Sequence, residues 1–240
     1  MLKSIVRRAA KELGYEILGR AQSFAAAKSL AGLLQQEEIN LIIDVGANIG
    51  QFVQTIRQTG YRGRVISFEP QASAHAQLTA LARNDPKWTV AARTALGAAP
   101  GVITIHTSEN SLSSSILPML SAHREAAPES GYVGTEVVQI NRLDDIFSVE
   151  PEDRVMLKID VQGYEKPVLD GAPRILASCR ALVLEMSSIP LYEGQILALQ
   201  LWEWLDTAGF DVWSLEPEFR NPRSNRMLQM DGLFVSRGQR

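Results

Sequence analysis

Several features that define specialised protein classes are scarce in this sequence. One cysteine, Cys179, among 240 residues excludes a disulfide-stapled scaffold and fits a reducing compartment, so we expect a cytoplasmic protein. No run of about 18 consecutive apolar residues occurs, and no compact apolar stretch near the N-terminus ends in small residues. Neither a membrane span nor secretion is therefore predicted. A net charge of -3 gives no overall attraction to phosphates, so nucleic acid is not an expected partner.

The residues that are present are typical of one soluble globular domain. Hydrophobic residues make up 45% and charged residues 21% of the chain, which is enough for a sizeable core. From residue 40 onward, short β-branched runs alternate with helical stretches, which predicts a doubly wound α/β domain with ligands at the carboxyl ends of its strands. Helices are expected at 50–58, 72–82 and 195–208, and strands at 41–45, 64–68, 88–92, 102–107, 136–140, 155–160, 181–186, 210–214 and 232–236.

The first 38 residues differ from the rest because basic side chains are interleaved with isoleucine, valine and leucine. This composition is typical of amphipathic helices, and Gly14 and Gly19 predict an interruption between two helical pieces. We expect a helical cap over residues 1–38 that packs on a domain formed by residues 39–240. A basic amphipathic segment can also lie on an anionic membrane surface, so peripheral membrane contact is an alternative.

The strongest local motif is D-V-G-A-N-I-G, residues 44–50, which follows an apolar strand and opens a helix. A dinucleotide site requires G-x-G-x-x-G, and Asp44 would repel a pyrophosphate, so a nicotinamide oxidoreductase is disfavoured. S-adenosylmethionine fits better, because it carries no phosphate and its ammonium group matches Asp44. Gly46 and Gly50 let the backbone approach this cofactor, and Asn48 completes the expected contacts of the loop.

A carboxylate also ends the second strand, in the sequence Phe68-Glu69-Pro70. A carboxylate at this position can accept two hydrogen bonds from a ribose diol. Glu69 is therefore the expected ribose ligand of the cofactor. The alternative role is that of a cap for the helix that follows Pro70.

Further charges lie in L-K-I-D-V-Q-G-Y-E, residues 157–165. An apolar strand contains Lys158, ends at Asp160 and turns towards a helix that carries Glu165. The next strand, V-L-E-M, carries Glu185. Charges within such strands need partners, so either the carboxylates converge on one cleft or Lys158 pairs with one of them only to stabilise the fold.

Seven motifs occur in order along residues 41–186: D-V-G-A-N-I-G, S-F-E-P, A-L-G, L-D-D-I, L-K-I-D-V-Q-G-Y-E, V-L-D-G-A and V-L-E-M. As an ordered set they resemble the FkbM family of S-adenosylmethionine-dependent methyltransferases. The resemblance implies a class I, seven-strand Rossmann-like fold and methylation of a hydroxyl on a sugar, glycoconjugate or natural product. A small-molecule or glycan acceptor is thus expected. Gln162 departs from the family, which commonly has an acid in D-V-E-G, and this argues against a catalytic or metal role for its side chain.

Methyl transfer to an aliphatic hydroxyl needs a base within hydrogen-bond reach of the acceptor oxygen. The candidates for this base are Asp160, Glu165, Glu185 and His123. From its position at a strand end, Asp160 is equally suited to bind the methionine ammonium group. Asp160 and Glu185 also offer the oxygen ligands that a divalent metal prefers, and the sequence leaves a metal undecided.

Residues 108–135 form a predicted irregular segment that is too long for a routine connection in a compact domain. We expect an acceptor-binding lid, which would bring His123 near the methyl group. The alternative is a solvated surface insertion with His123 exposed. The hydroxyls that are expected to contact a polyhydroxylated acceptor belong to Ser111, Ser113, Ser114 and Ser115.

A different class of function is a non-catalytic Rossmann-like binding domain that docks through its N-terminal helices. The intact 44–50 loop and Glu69 argue against this alternative, because a scaffold without cofactor has no need of them. Titration with S-adenosylmethionine separates the two hypotheses.

Overall fold

The computed structural model describes residues 20–109 and 112–238. Its strands are β1 (Leu41–Val45), β2 (Arg64–Phe68), β3 (Trp88–Val90), β4 (Ala95–Leu96), β5 (Gly101–Ser108), β6 (Tyr132–Asn141), β7 (Val155–Ile159), β8 (Cys179–Ser187), β9 (Phe210–Pro217) and β10 (Gln229–Ser236). Its helices are α1 (Arg20–Gln36), α2 (Gln51–Gln58), α3 (Ala72–Ala82), α4 (Ser121–Ala126), α5 (Leu143–Ile146), α6 (Glu165–Asp170), α7 (Pro173–Ser178) and α8 (Ala198–Thr207). The first predicted helical piece and Ser111 lie outside the described residues.

The main sheet has seven strands in the order β3-β2-β1-β7-β8-β10-β9. Strands β3, β2, β1, β7 and β8 are parallel, and β10 runs antiparallel to both β8 and β9. The strand order reverses between β1 and β7, which makes this the switch point where ligands bind in such sheets. The predicted doubly wound, seven-strand α/β fold is confirmed.

Helices cover both faces of this sheet, as the alternation of buried residues in β1 requires. Leu41, Ile43 and Val45 belong to one core, which the helices from α5 to α8 complete. Ile42 belongs to the other core, together with residues of α2, α3 and α1. Helix α1 contributes its buried residues Leu30, Leu33 and Leu34. The division of the chain at residue 38 and the membrane contact stay predictions.

Two of the predicted strands, at 102–107 and 136–140, lie outside the main sheet. They form β5 and β6 of a second, three-stranded sheet with the order β4-β6-β5. β5 and β6 are antiparallel, and Ile105 in β5 is buried whereas Val102 is exposed. Such alternation is typical of an antiparallel sheet with one solvated face.

The segment predicted to be irregular, 108–135, contains ordered structure. It holds α4 and a short 3-10 helix, Pro128–Ser130, and its ends belong to β5 and β6. Bridges of His106 with Ser115 and of Met119 with Tyr192 tie it to the rest of the chain.

The predicted helix at 195–208 begins later, at Ala198. The carboxamide oxygen of Gln195 accepts hydrogen bonds from the N–H groups of Leu191 and Tyr192, both at 2.6 Å. These bonds hold residue 195 in the preceding loop. The helix ends before Gly209, whose φ of 91° is left-handed.

Candidate functional site

A cavity of about 280 Å³ lies at the carboxyl ends of the parallel strands. Its wall includes residues that follow β1, β2 and β7, so it lies at the switch point of the sheet. Segment 112–116, α4 and the connection from β9 to β10 supply further parts of the wall. This location is that of a small-molecule site, and the volume is close to the lower end of the range for such sites.

Gly46 brings the loop after β1 against the end of β7. Its φ of 75° is left-handed, and a Cβ at this position would lie 1.8 Å from the backbone oxygen of Asp160. Asn48 also has a left-handed φ, of 48°, and its backbone N–H donates to the Glu69 carboxylate at 2.8 Å. Gly46 and Asn48 both line the cavity, and their contacts with a cofactor stay predictions.

Gly50, the other predicted cofactor-binding glycine of this loop, lies where α2 begins. Its φ is 92°, and a Cβ there would lie 2.6 Å from the ring of Trp88. Among the described residues that form the cavity wall, Gly50 does not appear. The glycine is needed where α2 begins, because the backbone turns and packs tightly there.

Glu69 lines the cavity and is 2% exposed. Its two carboxylate oxygens each accept one hydrogen bond, from the backbone N–H groups of Asn48 and Gln71, both at 2.8 Å. Burial raises the pKa of Glu69 to about 7, although these two N–H groups oppose the rise. Because a carboxylate oxygen can accept a second bond, Glu69 can hold the start of α3 and still receive a hydroxyl of a ligand.

Asp44 is fully buried in β1 and lies opposite Lys158 of β7. Its Oδ1 is 3.3 Å from Lys158 Nζ, and its Oδ2 accepts a hydrogen bond from Ser67 Oγ at 2.9 Å. Burial raises the pKa of Asp44, with Lys158 opposing the rise. In the part of the chain that the structure describes, Asp44 is not among the lining residues. The structure therefore does not bring Asp44 to the cavity, where the predicted contact with the ammonium group of the cofactor would lie.

Lys158 connects Asp44 to the cavity wall. Besides Asp44, its ammonium group lies 3.5 Å from Asp160 Oδ2 and donates to the backbone oxygen of Gly46 at 3.2 Å. Burial disfavours the charge on Lys158, but Asp160 and Asp44 outweigh burial and raise its pKa. Lys158 therefore fixes the 44–50 loop to the end of β7 and leaves one face of Asp160 to the cavity.

Asp160 and Glu185 meet through Gln162. The Gln162 amide donates to Asp160 Oδ1 and to Glu185 Oε2, both at 2.9 Å, and its oxygen accepts from the Tyr192 hydroxyl at 2.8 Å. Burial, with Asp160 and Glu218 nearby, raises the pKa of Glu185 well above its ordinary value. The amide that departs from the family pattern is thus the group that holds two predicted site carboxylates together.

Glu165 does not reach the cavity wall in the described structure. Its Oε1 accepts hydrogen bonds from the N–H groups of Val161 and Gly163, at 3.2 and 3.0 Å. Burial raises the pKa of Glu165 to about 7. The side chain stabilises the turn after β7, and its prediction as the base receives no geometric support.

His123 lies on the cavity wall and is 3% exposed, so the alternative of an exposed His123 on a solvated insertion is wrong. Its ring contacts those of Tyr192 and Phe219, with centroids 5.2 and 5.3 Å apart. Burial lowers the pKa of His123 to about 4, so the imidazole is neutral at pH 7. Ser113, Ser114 and Ser115 line the same cavity, whereas the lid movement itself stays a prediction.

The predicted metal stays undecided. Within residues 20–109 and 112–238, no three His, Cys, Asp or Glu side chains are grouped so as to hold a metal ion. The Gln162 amide also occupies an oxygen of both Asp160 and Glu185, the two predicted ligands.

Some residues on the cavity wall were not predicted from the sequence, chiefly Glu218 and Gln229, with Tyr192 behind them. Glu218 follows β9 and Gln229 begins β10, so both lie at one end of an antiparallel pair. Glu218 lies four residues beyond the predicted strand at 210–214, so the strand pattern gave no signal for it.

The strand order, the antiparallel β10 and a cavity at the switch point define a class I Rossmann-like methyltransferase fold. The model of the methyltransferase FkbM domain matches residues 44–212. The chain belongs to this family, which confirms the resemblance seen in its motifs and identifies an S-adenosylmethionine-dependent methyltransferase. No curated protein sequence matches the chain.

Solved structures similar to this chain show low sequence identity. TehB from Haemophilus influenzae is 10% identical with a TM-score of 0.50, over 96% of this chain and 66% of TehB. The 1,6-didemethyltoxoflavin-N1-methyltransferase from Burkholderia thailandensis, with bound S-adenosylhomocysteine, is 12% identical with a TM-score of 0.49, over 88% and 78%. A putative RNA methyltransferase from Pyrococcus horikoshii is 14% identical with a TM-score of 0.46, over 88% and 81%. At such identities, the likeness to TehB speaks for the fold alone.

No helix in the described ranges combines the length and apolarity needed to cross a membrane.

Proposed function

We propose that the chain methylates a hydroxyl group of a sugar, glycoconjugate or natural product, with Asp160 as the base. The observation that carries the proposal is one cavity whose wall contains both the Gly46 and Glu69 region and the carboxylate of Asp160. A methyl donor bound near Gly46 and Glu69 would place its methyl group in a cavity that also contains a proton acceptor, the carboxylate of Asp160.

The residues of the cavity fit S-adenosylmethionine. Glu69 is placed to accept hydrogen bonds from the ribose diol, and Gly46 leaves the backbone open to close approach. Phe68, Ala95 and Leu96 give the wall an apolar part suited to an adenine ring. When bound, the cofactor supplies an electrophilic methyl group on its sulfonium.

Asp160 has the position that a base requires. Its side chain is 34% exposed, unlike that of the fully buried Asp44, and it faces the cavity. Lys158 and the Gln162 amide each contact one of its oxygens, so its orientation is fixed. A fixed carboxylate can take the proton of an acceptor hydroxyl as the new bond to carbon forms.

Asp160→Asn tests this role, since the substitution removes the charge with little change of shape. With labelled S-adenosylmethionine and a panel of hydroxylated acceptors, we expect kcat to fall by about 100-fold or more. The control is Glu125→Gln, which removes a charge from an exposed position on α4. An unchanged kcat would contradict the base assignment, and a raised KM for the cofactor with unchanged kcat would make Asp160 the ammonium ligand instead.

A further inference from the structure

Carboxylates of neighbouring strands line up on one face of the main sheet beside the cavity. Glu185 of β8 lies opposite Asp231 of β10, which lies opposite Glu216 of β9. Directly opposed residues share a face, and Glu218 follows Glu216 by two positions. Of these residues, Glu185 and Glu218 reach the cavity wall.

These carboxylates crowd one another. Burial and Asp160 raise the pKa of Asp231 to about 7, and Asp231 together with burial raises the pKa of Glu218 well above its ordinary value. Glu218 in turn contributes to the raised pKa of Glu185, because the two carboxyl groups lie near one another. The ammonium group of Lys158 is already engaged by Asp44 and Asp160. A cation placed beside these carboxyl groups would therefore stabilise their ionised forms.

Polar atoms without a partner lie on the same wall, and two of them belong to residues outside the carboxylate row. In the described ranges, His123 Nδ1, Gln229 Nε2 and Glu218 Oε2 are buried without a hydrogen-bond partner. His123 and Gln229 are each 3% exposed, and all three residues line the cavity. Buried polar groups left unpaired cost free energy, which a ligand with matching groups recovers.

We propose that Glu185, Glu218, His123 and Gln229 form a subsite for a polyhydroxylated amine, and we call this set the acidic wall. The two carboxylates receive the ammonium group, and the Gln229 amide and the His123 imidazole bind hydroxyls next to it. This inference rests on the proposed function, because it specifies the acceptor of the same cavity. An amino sugar or an aminocyclitol has this chemistry.

The charged side chains that line the whole cavity disfavour the binding of an anionic acceptor. Arg220 is the cationic side chain among the described lining residues, and its guanidinium donates to the backbone oxygen of Asn225 at 3.0 Å. The carboxylates that line the cavity are those of Glu69, Glu129, Asp160, Glu185 and Glu218. A phosphate or carboxylate on the acceptor would meet this excess of negative charge.

The test is calorimetric titration of the full chain, saturated with S-adenosylhomocysteine, with three monosaccharides of one ring type. Glucosamine is cationic, glucose is neutral and glucose 6-phosphate is anionic. We expect glucosamine to bind about tenfold or more tightly than glucose, and glucose 6-phosphate to bind more weakly than glucose. Glu218→Gln should abolish the preference for the amine, whereas Glu203→Gln on the exposed face of α8 should leave it intact.

Equal affinities for the three sugars, tighter binding of the phosphate or no saturable binding of glucosamine would overturn the subsite. A preference for glucosamine that survives in Glu218→Gln would overturn the assigned residues. Failure of the proposed function has a different signature, since no hydroxylated acceptor would then be methylated even if glucosamine binds.

Discussion

At the scale of single residues, the site depends on buried carboxylates whose environments differ. Asp44 forms an ion pair with Lys158, and Glu165 accepts hydrogen bonds from backbone N–H groups, so both have partners within the fold. Glu69, Asp160 and Glu185 also have internal partners, yet they line the cavity. Position relative to the cavity, and not residue type, separates carboxylates that stabilise from those that can act on a ligand.

Glu69 should make the protein less stable as the pH rises. Its pKa is about 7 in the folded chain against an ordinary value of 4.5, so the folded state binds the proton more tightly. The free energy of unfolding should therefore fall between these pH values, by on the order of 3 kcal/mol from this group. In Glu69→Gln, urea unfolding at pH 5 and pH 8 should show a smaller fall than in the wild type. A pH dependence identical in variant and wild type would contradict the shifted pKa.

Gln162→Glu should destabilise the protein, and more so at high pH. The substitution removes the amide that donates to Asp160 and Glu185 and places a third carboxylate between them. We expect a loss of about 1–3 kcal/mol in unfolding free energy at pH 8 and a smaller loss at pH 5.

The matched control for that change is Gln195→Glu. Gln195 uses its side-chain oxygen to accept from Leu191 and Tyr192, and a carboxylate keeps this role. Equal losses of unfolding free energy in Gln162→Glu and Gln195→Glu at pH 8 would contradict a specific stabilising role for the Gln162 amide between Asp160 and Glu185.

At the scale of elements, the conformation of the loop from β1 to α2 depends on its close contact with the end of β7. Gly46→Ala would place a Cβ 1.8 Å from the Asp160 backbone oxygen at a left-handed φ. We expect a loss of about 3 kcal/mol or more in unfolding free energy. Gly60→Ala is the control, because its φ of 98° is also left-handed but nothing lies within 4 Å, and about 1 kcal/mol is expected. Similar losses in denaturant titrations would mean that the loop and β7 are not in contact.

Elements that depend on short-range pattern were predictable, and those that depend on distant partners were not. The apolar run 41–45 predicts β1 from local sequence alone. Glu69 and Pro70, in the same way, mark the end of β2. The second sheet requires β4 to pair with β6 some 45 residues later, Ala95 with Ile140, which no local period reports. His123 is buried by Tyr192 and Phe219, which are far away in sequence. Glu218 and Gln229 were not predicted for the same reason, because the residues that share the cavity wall with them are far away in sequence.

At the scale of the whole molecule, the fold divides the motifs between support and site. Parallel strands β1, β2 and β7 deliver their carboxyl ends to one edge, so motifs far apart in sequence share one cavity. Within the first motif, however, Gly46 and Asn48 reach that cavity while Asp44 and Gly50 pack behind it. A motif identified the family correctly, but the role of each of its residues needed the structure.

The most direct test of the account is calorimetric titration of S-adenosylhomocysteine into the wild type and Glu69→Ala. The wild type should show saturable binding at one site per chain, and the variant should bind about ten- to a hundredfold more weakly because the ribose loses a charged acceptor. Glu125→Gln should bind like the wild type. No saturable heat in the wild type, or an unchanged affinity in a folded Glu69→Ala variant, would contradict the assignment of this cavity as the methyl-donor site.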